Sequence, residues 1–313
     1  MKICVLLILT LSCYFVHAHS MEDPFPYQMS LHHTEGSGLG YSIGYTSLDL
    51  FVSKSVWDRN LTSFLDVRGH LFNNGKYAAN AGGGVRYLNE CFDQIWGINA
   101  FYDYLQTKRL NYHQVSFGLE VSGNQWDVFV NGYVPVGHKT KNIYEFSYNF
   151  SIADSHNKKT RIPGFLLKAK EQFAMTGVDT LIRYRFCLND DFNIRIGLGP
   201  YLYWGTSAKT VNAFYKTHKR ALGAQLRADL SYLNYISLET IVSYDTYFNW
   251  NGQATIILNI PLDLIFDPPS CTPCHHLRNK MFRPVTRNEI IVIDSHTRRS
   301  TNPNVLDPEH PPL

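Results

Sequence analysis

Charged residues are scarce in this chain of 313 residues: Asp, Glu, Lys and Arg make up 18%, against about 25% in a typical soluble protein. The formal net charge is only +3, and no long basic run is present, which argues against a nucleic-acid partner. Beyond the N-terminal segment there is no uninterrupted apolar run of about 18 residues, so no transmembrane helix is predicted. A location in a membrane would therefore require a β-barrel.

Cysteine is also sparse, and its spacing does not indicate a disulfide scaffold. Two of the 6 cysteines lie in residues 1–18, which we interpret as a signal peptide. In this segment Lys2 precedes a short apolar run, and Val16-His17-Ala18 resembles a small-x-small cleavage site. The mature chain is therefore expected to begin near His19, after export.

The motif Cys271-Thr272-Pro273-Cys274-His275 leaves several interpretations open. Its C-x-x-C-H pattern matches c-type haem attachment, and thiolates with imidazoles also suit zinc. Surrounding prolines favour an exposed turn, in which the two cysteines form a small-loop disulfide or stay as plain thiols. We therefore predict no cofactor and no metal site.

No motif points to an enzyme. The glycines of Ala81–Arg86 resemble a phosphate loop, but the residues that follow continue a strand rather than begin a helix. We predict no catalytic residues.

Alternating apolar and polar positions are abundant. From about Tyr45 to Phe266 the chain forms a series of alternating segments, each near the ~9–11 residues of a membrane strand. In Trp96–Tyr104, for example, Trp96, Ile98 and Tyr102 alternate with small or polar residues. The aromatic content of 14% also suits the aromatic girdles of an outer-membrane barrel. About twelve such segments are present, although a soluble secreted β-protein would also show many short strands.

Ionisable residues fall mostly on the face opposite the apolar residues, as a polar lumen requires. An Arg that faced lipid at the midplane would cost roughly 2–4 kcal/mol. The segment Trp126–Val134 departs from the pattern, because Phe129 and Tyr133 share its polar side. Large aromatics that point into the lumen, or a strand that leaves the membrane, would explain this departure.

Several segments in one order resemble the β-domain of inverse autotransporters, the intimin and invasin family. They are GLGYSIGYTSLDLF (Gly38–Phe51), GGGVRYL (Gly82–Leu88), WGINAFYDY (Trp96–Tyr104) and YHQVSFGLEVSGNQWDVFVNGYVPVG (Tyr112–Gly137). The segment Met281–Ile293 is similar to the linker that follows the barrel in some members. The resemblance implies an all-β fold: a single transmembrane antiparallel β-barrel of about twelve strands with a short irregular C-terminal tail.

The resemblance also implies a domain layout. Residues 19–36 would form a short periplasmic segment, residues 37–266 the outer-membrane barrel, and residues 267–313 a linker that threads the lumen and ends in a polar tail. Side chains expected to contact this linker in the lumen are Asn80, Arg86, Asn99, Asp103, Glu120 and Asn131.

The function implied by the resemblance is anchoring and export of the chain's own C-terminal segment to the cell surface of a bacterium. Partners would be outer-membrane lipids, the barrel insertion machinery and, for an adhesin, a host-cell or surface ligand. The family carries long passengers, and the stretch after Phe266 is much shorter, which weakens the adhesion hypothesis. An open, porin-like pore with a periplasmic tail is the alternative.

Overall fold

The computed structural model describes residues 27–56, 60–107, 110–137, 140–153, 161–187, 192–206, 218–232, 235–262 and 277–302. Strands dominate this part of the chain. They are β1 (Tyr27–Gly36), β2 (Tyr45–Val56), β3 (Leu61–Phe72), β4 (Tyr77–Asn89), β5 (Gln94–Gln106), β6 (Asn111–Ser122), β7 (Trp126–Val136), β8 (Thr140–Ala153), β9 (Arg161–Ala174), β10 (Thr176–Cys187), β11 (Phe192–Thr206), β12 (His218–Tyr232), β13 (Ile236–Asp245), β14 (Asn249–Pro261) and β15 (Ile293–Asn302). A 3-10 helix spans Leu277–Phe282.

Twelve of these strands form a closed antiparallel barrel. Its order is β1-β14-β13-β12-β11-β10-β7-β6-β5-β4-β3-β2, and β1 pairs with both β14 and β2 to complete the ring. Closure leaves no unpaired strand edge, which is the condition for a sheet to span a bilayer. The all-β barrel of about twelve strands predicted from the sequence is confirmed. No helix in the described ranges is both long and apolar enough to cross a membrane.

The barrel begins earlier than the expected boundary at residue 37, because Tyr27–Gly36 is a barrel strand rather than part of a periplasmic segment. The sequence signal is weak here, since His33 occupies an outward position and the strand has few large apolar residues. At the other boundary, β14 ends at Pro261. The predicted signal peptide, residues 1–18, lies outside the described residues.

Strands β8, β9 and β15 form a separate three-stranded sheet. Because β7 pairs directly with β10, the β8–β9 hairpin is inserted between two neighbouring barrel strands without joining the barrel. Strand β15 then pairs with β9 over ten positions, from Ile293 opposite Ala174 to Asn302 opposite Phe165.

The two faces of the barrel wall differ as the alternation predicts. In β5, Trp96 and Ile98 point outward with 52% and 57% exposure, whereas Asn99, Phe101 and Asp103 are buried in the lumen. Phe129 and Tyr133 of β7 are lumen-facing aromatics as well, which resolves the exception in the pattern. Exposed aromatics form a belt at each end of the barrel, as lipid interfaces favour. One belt includes Tyr87, Trp96, Tyr184 and Tyr232, and the other Tyr77, Tyr102, Tyr244 and Trp250.

The barrel has two distinct ends. At one, which we call the terminal end, β1 begins, β14 ends and the connections are short, such as residues 123–125 between β6 and β7. At the other, the hairpin end, the β8–β9 hairpin departs from the wall, and the longest connections, such as residues 37–44, lie here beside short turns such as residues 73–76. Long connections at one end and short turns at the other are typical of outer-membrane barrels.

Candidate functional site in the barrel lumen

The lumen contains residues 277–292, which we call the lumen segment: the 3-10 helix followed by an irregular stretch without strand structure. Near the terminal end, Lys280 donates hydrogen bonds to the Gly123 carbonyl (2.6 Å) and to Asp127 (2.7 Å). At the hairpin end, Ile290 and Ile291 pack with Tyr45 and other buried residues. The segment therefore runs through the barrel from the terminal end to the hairpin end.

Wall side chains bind the backbone of the lumen segment. Arg86 donates to the carbonyls of Met281 (2.9 Å) and Arg283 (2.6 Å). Asn80 donates to the Glu289 carbonyl at 2.9 Å. Asn131 donates to the Thr286 carbonyl at 3.3 Å. An extended chain outside a sheet needs such partners, because a buried carbonyl without a hydrogen bond is costly.

Asp103 binds the lumen segment through a side chain. Its two carboxylate oxygens accept hydrogen bonds from Arg287 at 2.8 and 2.6 Å, and both residues are almost fully buried. The Arg287 guanidinium also lies 4.4 Å from the centre of the Phe101 ring, a cation–π distance. A bidentate Arg–carboxylate pair fixes orientation as well as distance.

The other two residues singled out in the sequence lie one step away from the segment. Glu120 accepts hydrogen bonds from Arg86 at 2.5 and 3.1 Å and so orients the guanidinium that binds the segment. Asn99 lies in the lumen beside Gly118, whose missing side chain leaves the space that the Asn99 amide occupies. Four of the six expected residues therefore contact the segment directly, and Glu120 acts through Arg86.

Sequence reasoning missed a second set of contacts at mid-lumen. Arg68 donates to the Val285 carbonyl at 2.8 Å and also pairs with Glu289 of the segment and with Asp66 of its own strand. The Tyr133 hydroxyl accepts a hydrogen bond from the Asn288 backbone at 2.8 Å. Arg68 and Tyr133 stood on lumen faces in the sequence pattern, but the pattern does not tell which lumen residues reach the segment.

Apolar packing also involves the lumen segment. Each of the four buried apolar clusters in the described residues contains at least one of its side chains. At mid-lumen, for instance, Val285 packs against Phe51, Phe64 and Phe101. Such close apolar packing shields the hydrogen bonds described above from water.

The segment leaves the barrel through a tight exit at the hairpin end. Gly40 has φ +80°, and a Cβ on this residue would lie 2.6 Å from the backbone nitrogen of Ile293. Met175 donates a backbone hydrogen bond to the Val292 carbonyl at 2.9 Å. Beside the exit, the Tyr247 hydroxyl donates a hydrogen bond to Asp294 at 2.5 Å. The pKa of Tyr247 is raised, mainly because the hydroxyl is buried and also because of this hydrogen bond. The chain then continues as β15.

The lumen is filled unevenly. Strands β2–β7, which we call the plug wall, supply most of the contacts described above. Strands β10–β14 and β1, which we call the cavity wall, are separated from the segment by a cavity of about 220 Å³. Arginines of this wall, among them Arg195 and Arg227, line the cavity. Contacts still exist on this side, since Asn288 donates to the Tyr203 hydroxyl at 3.2 Å.

Within the described ranges, no three His, Cys, Asp or Glu side chains form a group that would hold a metal ion. Cys271, Cys274 and His275 lie outside those ranges. The arrangement in the lumen is suited to holding a peptide segment, because donors on three wall strands bind that segment's backbone carbonyls.

Comparison with known proteins identifies the family. Residues 40–259 match the family model described as "Inverse autotransporter, beta-domain". Among curated protein sequences, none matches this chain. A solved structure described as "Unveiling the Mechanism Behind the in-meso Crystallization of Membrane Proteins" has 14% identity and a TM-score of 0.58, and the match covers 86% of this chain and 100% of that one.

Two further solved structures have lower TM-scores. An outer membrane channel from Pseudomonas putida F1 has 11% identity and a TM-score of 0.44, with 78% of this chain and 100% of that chain covered. The translocator domain of the autotransporter NalP from Neisseria meningitidis has 10% identity and a TM-score of 0.30, with 82% and 94% covered. The family match spans most of the barrel, from the β1–β2 connection into β14, and the chain therefore belongs to the inverse autotransporter β-domain family of bacterial outer-membrane barrels.

Proposed function

We propose that the barrel is a non-enzymatic anchor that exports its own C-terminal segment to the cell surface and then holds it there. The observation that supports this most strongly is the lumen segment itself. It enters at the end where the chain's first and last barrel strands terminate, and it leaves at the end from which the β8–β9 hairpin projects.

The length of the segment fits a passage across a bilayer. Residues 283–292 are ten residues outside any helix or strand, and ten residues can reach at most about 33–36 Å. The hydrocarbon core of a bilayer is about 30 Å thick. The terminal end is then periplasmic and the hairpin end lies at the cell surface.

The contacts also favour a segment that stays in place. Wall donors on β3, β4 and β7 bind five of its carbonyls, those of residues 281, 283, 285, 286 and 289. Binding backbone carbonyls is independent of side-chain identity, which suits a wall that contacts successive residues of a moving chain. The ion pair of Arg287 with Asp103 would then fix the final position. A filled lumen argues against the open pore.

Assembly in the membrane requires lipids on the outer face and, by extension from the family, the barrel insertion machinery of the outer membrane. A surface ligand of the exported tail would be a further partner if the tail acts in adhesion. Strand β15, held by β9 beyond the barrel, supplies a folded start for whatever follows it.

Surface labelling of epitope tags tests this proposal. A tag after Leu313 should be labelled on intact cells, as should a tag in the turn at Asn74 of the hairpin end. A matched tag between Gly123 and Asn124, at the terminal end, should be labelled only after permeabilisation. Should the tag after Leu313 require permeabilisation while the tag at Asn74 does not, the tail is periplasmic and export is excluded.

A further inference from the structure

The cavity between the lumen segment and the cavity wall is lined by an unusual number of guanidinium groups. Arg183, Arg195 and Arg227 reach it from β10, β11 and β12, and Arg283 reaches it from the lumen segment. All of them face the lumen rather than lipid. A soluble molecule is therefore the only kind of ligand that they would meet.

Acidic side chains do not balance these cations. Asp229 pairs with Arg195 and Glu239 with Arg227, whereas Asp127 is shared between Arg183 and Lys280. Six arginines and four carboxylates line the cavity: Arg68, Arg183, Arg195, Arg227, Arg283 and Arg287, with Asp49, Asp229, Glu239 and Glu289. Among the described residues, no carboxylate lies within ion-pair distance of the Arg283 guanidinium.

The existing ion pairs leave donors available. Arg195 approaches Asp229 at 3.4 Å and Arg227 approaches Glu239 at 3.5 Å, longer than the ~2.7–2.9 Å of a strong charged hydrogen bond. The Nε atom of Arg195 is buried and has no hydrogen-bond partner among the described residues. Each guanidinium offers five N–H donors in a planar fork that matches the oxygens of phosphate or carboxylate.

We propose that this cavity binds a small soluble oxyanion, with a phosphate or carboxylate group held between Arg195, Arg227 and Arg283. The cavity has room for more than the anionic group, at about 220 Å³. Its lining includes Tyr235 and Asn279 near the terminal end, so the ligand enters from that side. Because Arg283 belongs to the lumen segment, the anion joins the segment to the wall on the side where direct contacts are few. Anion binding at this site is a property additional to the proposed export function, and the occupancy of the site can be measured without an export assay.

Thermal unfolding of the purified full chain in detergent tests the site. The fraction that keeps folded-barrel mobility on a gel is measured against temperature, in sodium phosphate and in sodium chloride of matched ionic strength and pH. Phosphate should raise the midpoint by roughly 3 °C or more, because a ligand that binds only the folded state stabilises it. Equal midpoints in the two salts would overturn the proposal.

Variants locate the effect. Arg195→Gln and Arg283→Gln should abolish the increment due to phosphate, whereas the control Arg220→Gln, on the exposed outer face of β12, should keep it. A rise in the unfolding midpoint with phosphate that persists in Arg283→Gln would also overturn the proposal. If the variants fail to fold, equilibrium dialysis of the unaltered protein with radiolabelled phosphate decides: one phosphate per barrel supports the site, and none above background excludes it.

Discussion

The plug wall and the cavity wall use the same residue types in different ways. On the plug wall, Arg287 meets Asp103 in a bidentate pair at 2.6 and 2.8 Å, with both side chains almost fully buried. On the cavity wall, the pair of Arg195 and Asp229 is at 3.4 Å beside a cavity. The comparison shows that a lumen lined with charges does not bind the lumen segment equally tightly on all sides. The plug wall holds the segment through short, oriented contacts, whereas the ion pairs beside the cavity are longer.

Glycines on the plug wall make room for the lumen segment. On the plug wall, Gly84, Gly97 and Gly118 face the lumen, and the space above them is occupied by Phe64, Glu120 and the amides of Asn99 and Asn131 respectively. Polar and aromatic side chains can thus lie flat against the wall and leave a channel wide enough for an extended chain. The cavity wall also has lumen-facing glycines, such as Gly197 and Gly223, but its strands β11 and β12 carry Arg195 and Arg227 as well, and these arginines line the cavity.

Removal of the Asp103 carboxylate should have the largest effect on stability. Asp103→Ala leaves Arg287 charged and buried without its partner, which typically costs about 3–5 kcal/mol of the free energy of unfolding. Asp229→Ala should cost about 1 kcal/mol or less, because water in the adjacent cavity can solvate Arg195. Urea titration of both variants in detergent, followed by folded-barrel mobility, measures the difference.

A second substitution checks the cause of that loss. Replacing Arg287 together with Asp103, as Asp103→Ala with Arg287→Met, should recover a large part of the stability, since no unpaired charge remains. Equal losses in Asp103→Ala and Asp229→Ala would contradict the distinction between the two walls.

A methyl group on the plug wall should have the next largest effect. In Gly84→Ala the new Cβ would lie 2.2 Å from the Ile98 carbonyl oxygen and 2.7 Å from the Phe64 ring, so we expect a loss of about 1–3 kcal/mol. The matched control is Gly132→Ala on the outer face of β7, where the Cβ would meet nothing within 4 Å. This control should be neutral or slightly stabilising, because alanine restricts the unfolded chain. Similar losses in both variants would show that strand propensity, not crowding, decides.

The sequence predicts the barrel and its two faces because lipid and lumen impose a strict alternation, visible within single strands such as β5. It predicts much less about what leaves the wall. The β8–β9 hairpin has the same local alternation as a barrel strand, and only the pairing of β7 with β10 excludes it from the barrel. Strand β1 was missed for the opposite reason: it belongs to the barrel, but it has few large apolar residues and so lacks a clear alternation.

Candidate residues of the lumen show the same limit. Four of them could be predicted from the sequence because they stand at lumen positions within segments that resemble the family: Asn80, Arg86, Asp103 and Asn131. The partners of Arg68 could not be predicted in this way, since Glu289 is 221 residues away in the chain and no local pattern links the two residues. The uneven filling of the lumen depends on where the segment lies relative to every strand, and periodicity contains no information on that position.

The smallest effect on stability, and the sharpest test of the cavity wall, is expected from Arg227→Ala. Arg227 lines both the cavity of about 220 Å³ and a second one of about 40 Å³ toward the hairpin end, so its side chain stands between them. Its removal should join the two spaces and let ions pass beside the lumen segment, with a stability change of about 1 kcal/mol or less given the long 3.5 Å pair with Glu239. In planar bilayers the variant should conduct measurably more than the unaltered barrel, whereas Arg220→Ala on the outer face should not. A variant as closed as the unaltered protein would mean that the segment and the β1–β2 loop seal the lumen without help from this wall.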